Sequence, residues 1–324
     1  MIIVTGGAGL IGSSVVWKLN ERGNSDLLIV DHNPLDLKNA NLFPLRYSYY
    51  VDKADFIKPL LDGKYGDEIE AIIHLGACSD TTESDKKYLY QNNFEYTRIL
   101  AEFAVENGIR FIYASSAATY GNGDKGYSDD ENLISTYEPL NEYARSKQMF
   151  DLWAIEEGIM EKIVGLKYFN IFGPNEGHKG NMRSMVLKAY KQIFAKGKVC
   201  LFRSHRDDYE DGEQKRDFLY VKDAAEMTLY FLDNPQINGI YNIGSGKAET
   251  WNELIGNLFK SLDMEPIIEY IDMPENIRNQ YQYYTKADMS KFESLGYNDP
   301  LMNLSEAVDD YVQNYLIPGN HLGE

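Results

Sequence analysis

Tyr143 and Lys147 stand four positions apart in the run YARSK. On a helix that spacing puts both side chains on one face. A free tyrosine titrates near ~10 and is a poor base at neutral pH. An ammonium beside it stabilises the phenolate and lowers that value, so the pair can take a proton from an alcohol. Ser116 closes the apolar run FIYASS and can hydrogen-bond the same oxygen. Two exposed helix residues would share this spacing, so the surrounding elements have to decide. A second lysine poses a separate question. Lys179 lies in GPNEGHKGNM, between Gly177 and Gly180, in a chain with 32 Lys and Arg against 50 Asp and Glu. It is either a solvated loop cation or a placed one.

Upstream, residues 5–12 read TGGAGLIG. Gly6, Gly9 and Gly12 follow an apolar run and open a helix-period segment. The first turns the chain, the second lets a pyrophosphate approach the backbone, and the third allows close helix packing. The phosphates then meet the unpaired N–H groups of a helix N-terminus. Asp31, nineteen residues past Gly12, ends the next apolar run, where an acidic side chain holds an adenosine ribose. Asp31 favours NAD, whereas His32, Lys38 and Lys53 can offset a 2′-phosphate; the chemistry leaves NADP and NAD both open. A second glycine stretch, GSGKAE (244–249), lacks a phosphate-loop pattern: Tyr241 stands where the first glycine belongs and Ala248 follows the lysine. It is expected to be a turn before a helix.

These residues need rigid elements to place them. Apolar runs of strand length occur at 1–6, 27–32, 71–77, 111–117 and 163–173, with helix-period stretches between them, including about 10–21, 86–107 and 140–158. Such alternation predicts an α/β fold, a doubly wound parallel sheet of Rossmann type with helices on both faces. After Gly173 the rhythm changes. A helix at about 182–196, a strand at VCLF (199–202), a polar segment (203–216), a helix led by Asp223 as N-cap, a strand at 239–244 and helices at 250–262 and 304–316 predict a smaller mixed α/β C-terminal lobe. The expected division is 1–172, plus about 217–240 crossing back, as the dinucleotide domain, and 173–216 with 241–324 as the substrate lobe. Net charge is −18, which argues against nucleic-acid or anionic-membrane partners. Cys78 and Cys200 have no metal-ligand spacing, so no metal is expected. The opening strand, without a leader pattern or an apolar run of membrane length, predicts a cytoplasmic protein.

The G-x-x-G-x-x-G spacing together with YARSK resembles the extended branch of the short-chain dehydrogenase/reductase superfamily, the NAD-dependent epimerase/dehydratase family. Dehydratases of that branch carry Asp and Glu after the strand-end hydroxyl; here Ala117 and Ala118 follow it. That favours an enzyme that oxidises and reduces the same carbon. ASSAATYG (114–121), LGACSDTTE (75–83), YFNIFGPNEGHKG (168–180) and KRDFLYV (215–221) closely resemble the ADP-glyceromanno-heptose 6-epimerase family. The resemblance implies interconversion of the D-glycero and L-glycero forms of ADP-manno-heptose at C6″, for lipopolysaccharide core. It implies Tyr143 and Lys179 as the two acid/base residues, with Ser116 and Lys147 assisting.

It further implies that Gly6, Gly9, Leu10, Ile11, Gly12, Asp31, His32, Lys38, Lys53, Leu75, Gly76, Ala77, Cys78, Ser79, Asn92, Lys147 and Ile171 line the cofactor, with a lean to NADP. Asn170, Lys179, Asn181, Lys188, Phe202, Arg203, Ser204, His205, Arg216 and Tyr281 would line the substrate, and a homo-oligomer, a homopentamer by resemblance alone, would form. Arg183, Lys188, Arg203 and Arg216 supply cations for a pyrophosphate. This chain departs from the family pattern at Lys188, where histidine is expected, at Asn181, where serine is expected, and in a longer 203–216 segment. Nucleotide specificity therefore stays open. A UDP- or dTDP-sugar 4-epimerase and a catalytically silent NADP-binding scaffold are the alternatives.

Overall fold

The structure is a computed structural model that describes residues 1–32, 37–66, 68–278 and 281–324; the side chains of 37–39, 276 and 277 also lie outside the description. Six strands enter the main sheet in sequence: β1 (Ile2–Thr5), β2 (Leu27–Asp31), β3 (Tyr49–Asp52), β4 (Ala71–His74), β5 (Arg110–Ser116) and β6 (Val164–Tyr168). The strand Gly239–Ile243 completes it beside β6, giving seven strands with β1 between β2 and β4. Every pairing is parallel. β1, β2, β4 and β6 are buried along their whole length because both faces are covered, whereas the edge strand β3 is partly open. Ile3, Leu28 and Ile72 enter one core with Leu100, Ala104 and Phe150 of the helices Tyr96–Glu106 and Glu142–Glu156. Their neighbours Ile2, Val4, Leu27, Ile29 and Ile73 face the opposite core with Val15, Val16 and Leu19 of the helix Leu10–Glu21. This is the doubly wound Rossmann arrangement. The strand order reverses direction at β1, and ligands bind at the carboxyl ends of strands beside such a point.

A third core holds the smaller lobe together. Val186 and Ile193 of the helix Met185–Lys196 meet Leu254, Leu258 and Phe259 of Trp251–Ser261 and Val308 of Leu304–Tyr311. The parallel pair Val199–Phe202 and Ile268–Ile271 lies against them.

Four local expectations change. The run 163–173 is two strands, because the chain turns at Phe169. β6 pairs in the main sheet, whereas Asn170–Phe172 pairs with Phe218–Tyr220. The strand assigned to the second lobe at 239–244 belongs to the main sheet, and Ala287, Met289 and Phe292 pack into the first core, so the chain returns further than the expected boundary at 240. Packing against the sheet overrides position in the chain there. Asp223 does not cap its helix: Val221–Asp233 begins directly from the strand with Tyr220 at the cap, and Asp223 accepts from Met302 N at 3.1 Å. The long helix from 86 passes through a wider-wound segment at Tyr90–Glu95 before Tyr96–Glu106.

Candidate active site

The glycine turn is built by contact. Gly6 has φ +66°, and a Cβ there would lie 2.6 Å from Gly76 N, so only glycine lets the turn approach the end of β4. A Cβ on Gly12 would strike the Gly6 carbonyl. Gly9 caps the helix Leu10–Glu21 with no side-chain hydrogen bond, so the N–H groups around Leu10 and Ile11 are open to an anion. Asp31, almost fully buried, pins the turn by accepting from Ala8 N at 2.9 Å with one oxygen, while the other accepts from the neighbouring His32 N at 2.7 Å. His32 is exposed. Lys53 donates to Asn92 Oδ1 and lies 4.5 Å over the Tyr96 ring, so these two expected cofactor residues meet. Leu75 to Cys78 are part-buried and Ser79 is exposed at the carboxyl end of β4, and Ile171 is part-buried on the strand Asn170–Phe172. The side chain of Lys38 lies outside the described residues.

Ser116 ends β5, and the helix Glu142–Glu156 carries Tyr143 and Lys147 beneath it. Asn141 starts that helix by accepting from Ala144 N at 2.8 Å. Tyr143 is buried, which pushes its phenol up, while a hydrogen bond with Ser116 pulls it down. Burial lowers Lys147 to about 8, with Asp151 opposing that fall, and its ammonium donates to Ala114 O at 2.7 Å. The lysine is thus turned to the strand that ends in Ser116. Below lies a network that sequence reasoning did not find. Lys167 and Asp151, both wholly buried, pair at 2.6 Å. Asp151 also accepts from Tyr113 OH at 2.7 Å and Ser115 Oγ at 2.8 Å, and Lys167 donates to Thr119 Oγ1 at 2.8 Å. Asn93, next to the expected Asn92, was missed too. It accepts from Cys78 N at 2.8 Å and donates to Ser146 Oγ at 3.0 Å, fastening the 75–79 loop to the tyrosine helix.

Lys179 sits in a tight turn, Gly177–Met182. Burial lowers its ammonium and Lys188 lowers it further, whereas Glu176 raises it. It is a placed group, and its pKa moves towards the range a base needs. The turn adjoins the 75–81 loop, where Thr81 Oγ1 meets Met182 Sδ at 3.7 Å. The 75–81 loop thus touches the Lys179 turn through Thr81 and the tyrosine helix through Asn93.

The substrate residues fall into groups. Arg216, nearly buried, lies 5.1 Å from the Tyr281 ring and 5.6 Å from Trp251, and the Phe202 ring is 6.4 Å from Tyr281. Asn170 Oδ1 accepts from Thr285 Oγ1 at 3.4 Å. Asn181 and Lys188 are exposed beside the Lys179 turn, with Glu176 and Arg183 acting on Lys188. Arg203, by contrast, is exposed and pairs with Asp272 at 3.8 Å. The long 203–216 segment is a fastened loop: Ser204 N donates to Asp211 Oδ1 at 2.8 Å, His205 N to Tyr283 OH at 2.9 Å, and Asn252 Nδ2 to Asp211 O at 3.0 Å. The second glycine stretch spends its amides on Asp217, which accepts from Ser245 N at 2.6 Å and Gly246 N at 3.0 Å, and the turn leads into the helix Trp251–Ser261 as expected. Among the described residues no group of three or more His, Cys, Asp or Glu is placed to hold a metal ion.

Residues 2–244 match the model of the NAD dependent epimerase/dehydratase family. The chain belongs to this family. A protein of Nitratidesulfovibrio vulgaris named ADP-L-glycero-D-manno-heptose-6-epimerase is 50% identical over 316 residues, 98% of each chain. One of the same name from Fusobacterium nucleatum subsp. nucleatum is 46% identical over 325 residues, again 98% of each. The crystal structure of the Helicobacter pylori ADP-L-glycero-D-manno-heptose-6-epimerase superposes with a TM-score of 0.80 at 29% identity, covering 97% of this chain and 95% of that one. A UDP-N-acetylglucosamine 4-epimerase from Methanobrevibacter ruminantium reaches a TM-score of 0.79 at 23% identity, covering 98% of both, and shares the fold. No helix among the described residues is long and apolar enough to cross a membrane.

Proposed function

We propose that this chain interconverts ADP-D-glycero-β-D-manno-heptose and ADP-L-glycero-β-D-manno-heptose by oxidising C6″ to a ketone and reducing it from the other face. The observation that carries this is Lys179: a part-buried lysine with a lowered pKa, on a turn that meets the 75–81 loop, which Asn93 ties to the Tyr143 helix, in a chain half identical to relatives of that name. The glycine turn, its open helix N-terminus and the pinned Asp31 fit a dinucleotide: a Cβ would fill the cradle at Gly6 and Gly12. Gly6 to Gly12, Asp31, Lys53 with Asn92, the 75–79 loop and Lys147 would hold it. NADP is favoured because Lys53 adds positive charge and Asp31 already spends an acceptor on each of two amides. When bound, the cofactor supplies the acceptor, and later the donor, of the C6″ hydride.

The chain's own residues handle the proton. On one face Tyr143, held by Ser116, takes the 6″-hydroxyl proton as hydride leaves; on the other, Lys179 gives a proton to the carbonyl oxygen as hydride returns. The reverse direction exchanges the roles. Arg216 within its aromatic wall, with Lys188 and Arg183, supports the diphosphate. Ala117 and Ala118 offer no acid or base for loss of water. A nucleotide-sugar substrate and a dinucleotide support a cytoplasmic reaction, a supply step for lipopolysaccharide core, and the active form is proposed as a homo-oligomer. The test is turnover of purified protein on ADP-D-glycero-β-D-manno-heptose, with product stereochemistry read by NMR in deuterated water. The expected product is the C6″ epimer with no deuterium at that carbon. Solvent deuterium there would mean deprotonation chemistry, and turnover of UDP- or dTDP-hexoses alone would replace the substrate.

A further inference from the structure

The Lys179 turn is closed at its base by a carboxylate that the proton transfers above leave unused. Glu176 is wholly buried although it adjoins an open loop. A buried carboxylate is costly unless hydrogen-bonded or paired. Here Ser184 donates to it twice, from N to Oε2 and from Oγ to Oε1 at 2.6 Å. Tyr311 of the helix Leu304–Tyr311 adds a third hydrogen bond. Ser184 in turn caps the helix Met185–Lys196. A second clasp crosses the same span, Arg183 Nε donating to Gly177 O at 2.8 Å. The segment from Glu176 to Ser184 is therefore tied end to end, and Lys179 projects from its middle, with its own N–H on the Glu176 carbonyl at 3.0 Å.

The charges around this clasp are few. Burial raises the Glu176 carboxyl, and the Ser184 hydrogen bonds, Lys179 from the same turn and Tyr311 from the last helix all oppose that rise and favour the anion. Glu176 and Arg183 act on Lys188, Arg183 acts on Tyr311, and His178 faces Asn41 on the far side. Glu176 is the acidic member of that set. Burial and Lys188 both push Lys179 towards the neutral amine, and a neutral amine has no proton to return to a carbonyl oxygen. An anion at a fixed place in the same turn opposes both in part, and the ammonium stays lowered overall.

We propose that Glu176 is the positioning residue of the second acid/base group: its carboxylate clasps the 177–183 turn and is the counter-charge of the Lys179 ammonium. This deepens, and rests on, the assignment of Lys179 as an acid/base group.

The full-length, NADP-loaded protein with ¹³Cε-labelled lysine is titrated by NMR, and Lys179→Met identifies the Lys179 signal. In Glu176→Gln, which keeps the shape and removes the charge, Lys179 should titrate lower by about one pH unit or more. The matching limb of the pH–kcat profile should move the same way, and kcat at pH 7 should fall about tenfold or more. Glu176→Asp, which keeps the charge, should bring the midpoint back towards wild type. An unchanged Lys179 midpoint in a folded Glu176→Gln protein overturns the proposal. If that variant does not fold, Ser184→Ala removes one clasp bond and leaves the charge. Its kcat should then drop several-fold with KM little changed, and a wild-type kcat overturns the clasp. Full epimerisation by Lys179→Met would defeat the acid/base assignment itself, a result the NMR midpoints do not depend on.

Discussion

In the proposed mechanism Tyr143 acts as a base from a position that resists it. Burial raises its phenol, and the Ser116 hydrogen bond recovers only part of that. Lys147 is also pushed the wrong way, down to about 8. Its folded pKa lies below the unfolded value near ~10.4. Below about pH 8 both states carry the proton, and the fold bears the cost of the buried charge. That cost fades as pH rises from there towards the unfolded value, each pH unit of depression being worth about 1.4 kcal/mol. Lys147→Met should therefore lose activity, and its melting temperature relative to wild type should be most favourable at pH 7 and decline by pH 10. A difference flat with pH would show the ammonium to be solvated. The proton transfers have their own test. Tyr143→Phe and Lys179→Met should each lose epimerisation, by about 10²–10⁴-fold. Offered a C6″-oxidised analogue, they should be impaired in opposite stereochemical directions. Near wild-type rates in both directions for Lys179→Met would leave one tyrosine doing all proton transfer.

At the scale of elements, the Asp151–Lys167 pair joins the tyrosine helix to β5 and β6 directly beneath the site. Removing one partner of a buried pair strands the other charge, at about 3–5 kcal/mol. Lys167→Met should cost that much in denaturant unfolding, and adding Asp151→Leu should recover a good part; two additive losses would show the pair to be uncoupled. This pair also marks where sequence reasoning stops. The glycine turn is legible because each glycine meets a neighbour whose place the strand–turn–helix order already implies. Tyr143 and Lys147 are legible because four residues is one helical turn. Lys179 is legible only through family resemblance, since nothing in its spacing distinguishes a placed lysine from a solvated one. Asp151, Lys167, Asn93 and Glu176 escape because their partners arrive from other strands and helices, and no local periodicity encodes those meetings. The second-lobe boundary fails for the same reason: Gly239–Ile243 joins the main sheet by pairing with β6, a neighbour distant in sequence.

Across the whole molecule, two side chains connect the glycine turn and its helix to the Lys179 turn. Asn41, almost fully buried, donates to Ala8 O within the glycine turn at 2.9 Å and to Asn175 O at 2.9 Å, and it meets His178 Nδ1 at 3.2 Å. Asn175 holds a left-handed backbone, φ +72°, just before Glu176. Its side chain donates to Ser13 Oγ at 3.0 Å and accepts from Leu322 N at 3.2 Å. Phosphate-side turn, Lys179 turn and C-terminal segment are thereby fixed to one another. A base 1 Å out of place can cost about 10²-fold, so this tie is where the two lobes agree on geometry. Asn41→Ala removes the hydrogen bonds that join the Ala8 carbonyl to Asn175 and His178, leaves the Asn175–Ser13 contact, and touches no first-turn amide of the helix Leu10–Glu21. NADP affinity, measured by calorimetry, should stay within a few-fold, because the anion-binding amides are unchanged. The kcat should fall by about 10-fold, towards the 10²-fold that a 1 Å displacement costs, and the fall should be the same in both epimerisation directions because each needs Lys179 once. If NADP binding collapses while kcat at saturating cofactor is unchanged, Asn41 serves the dinucleotide site alone and the lobes are aligned by other contacts.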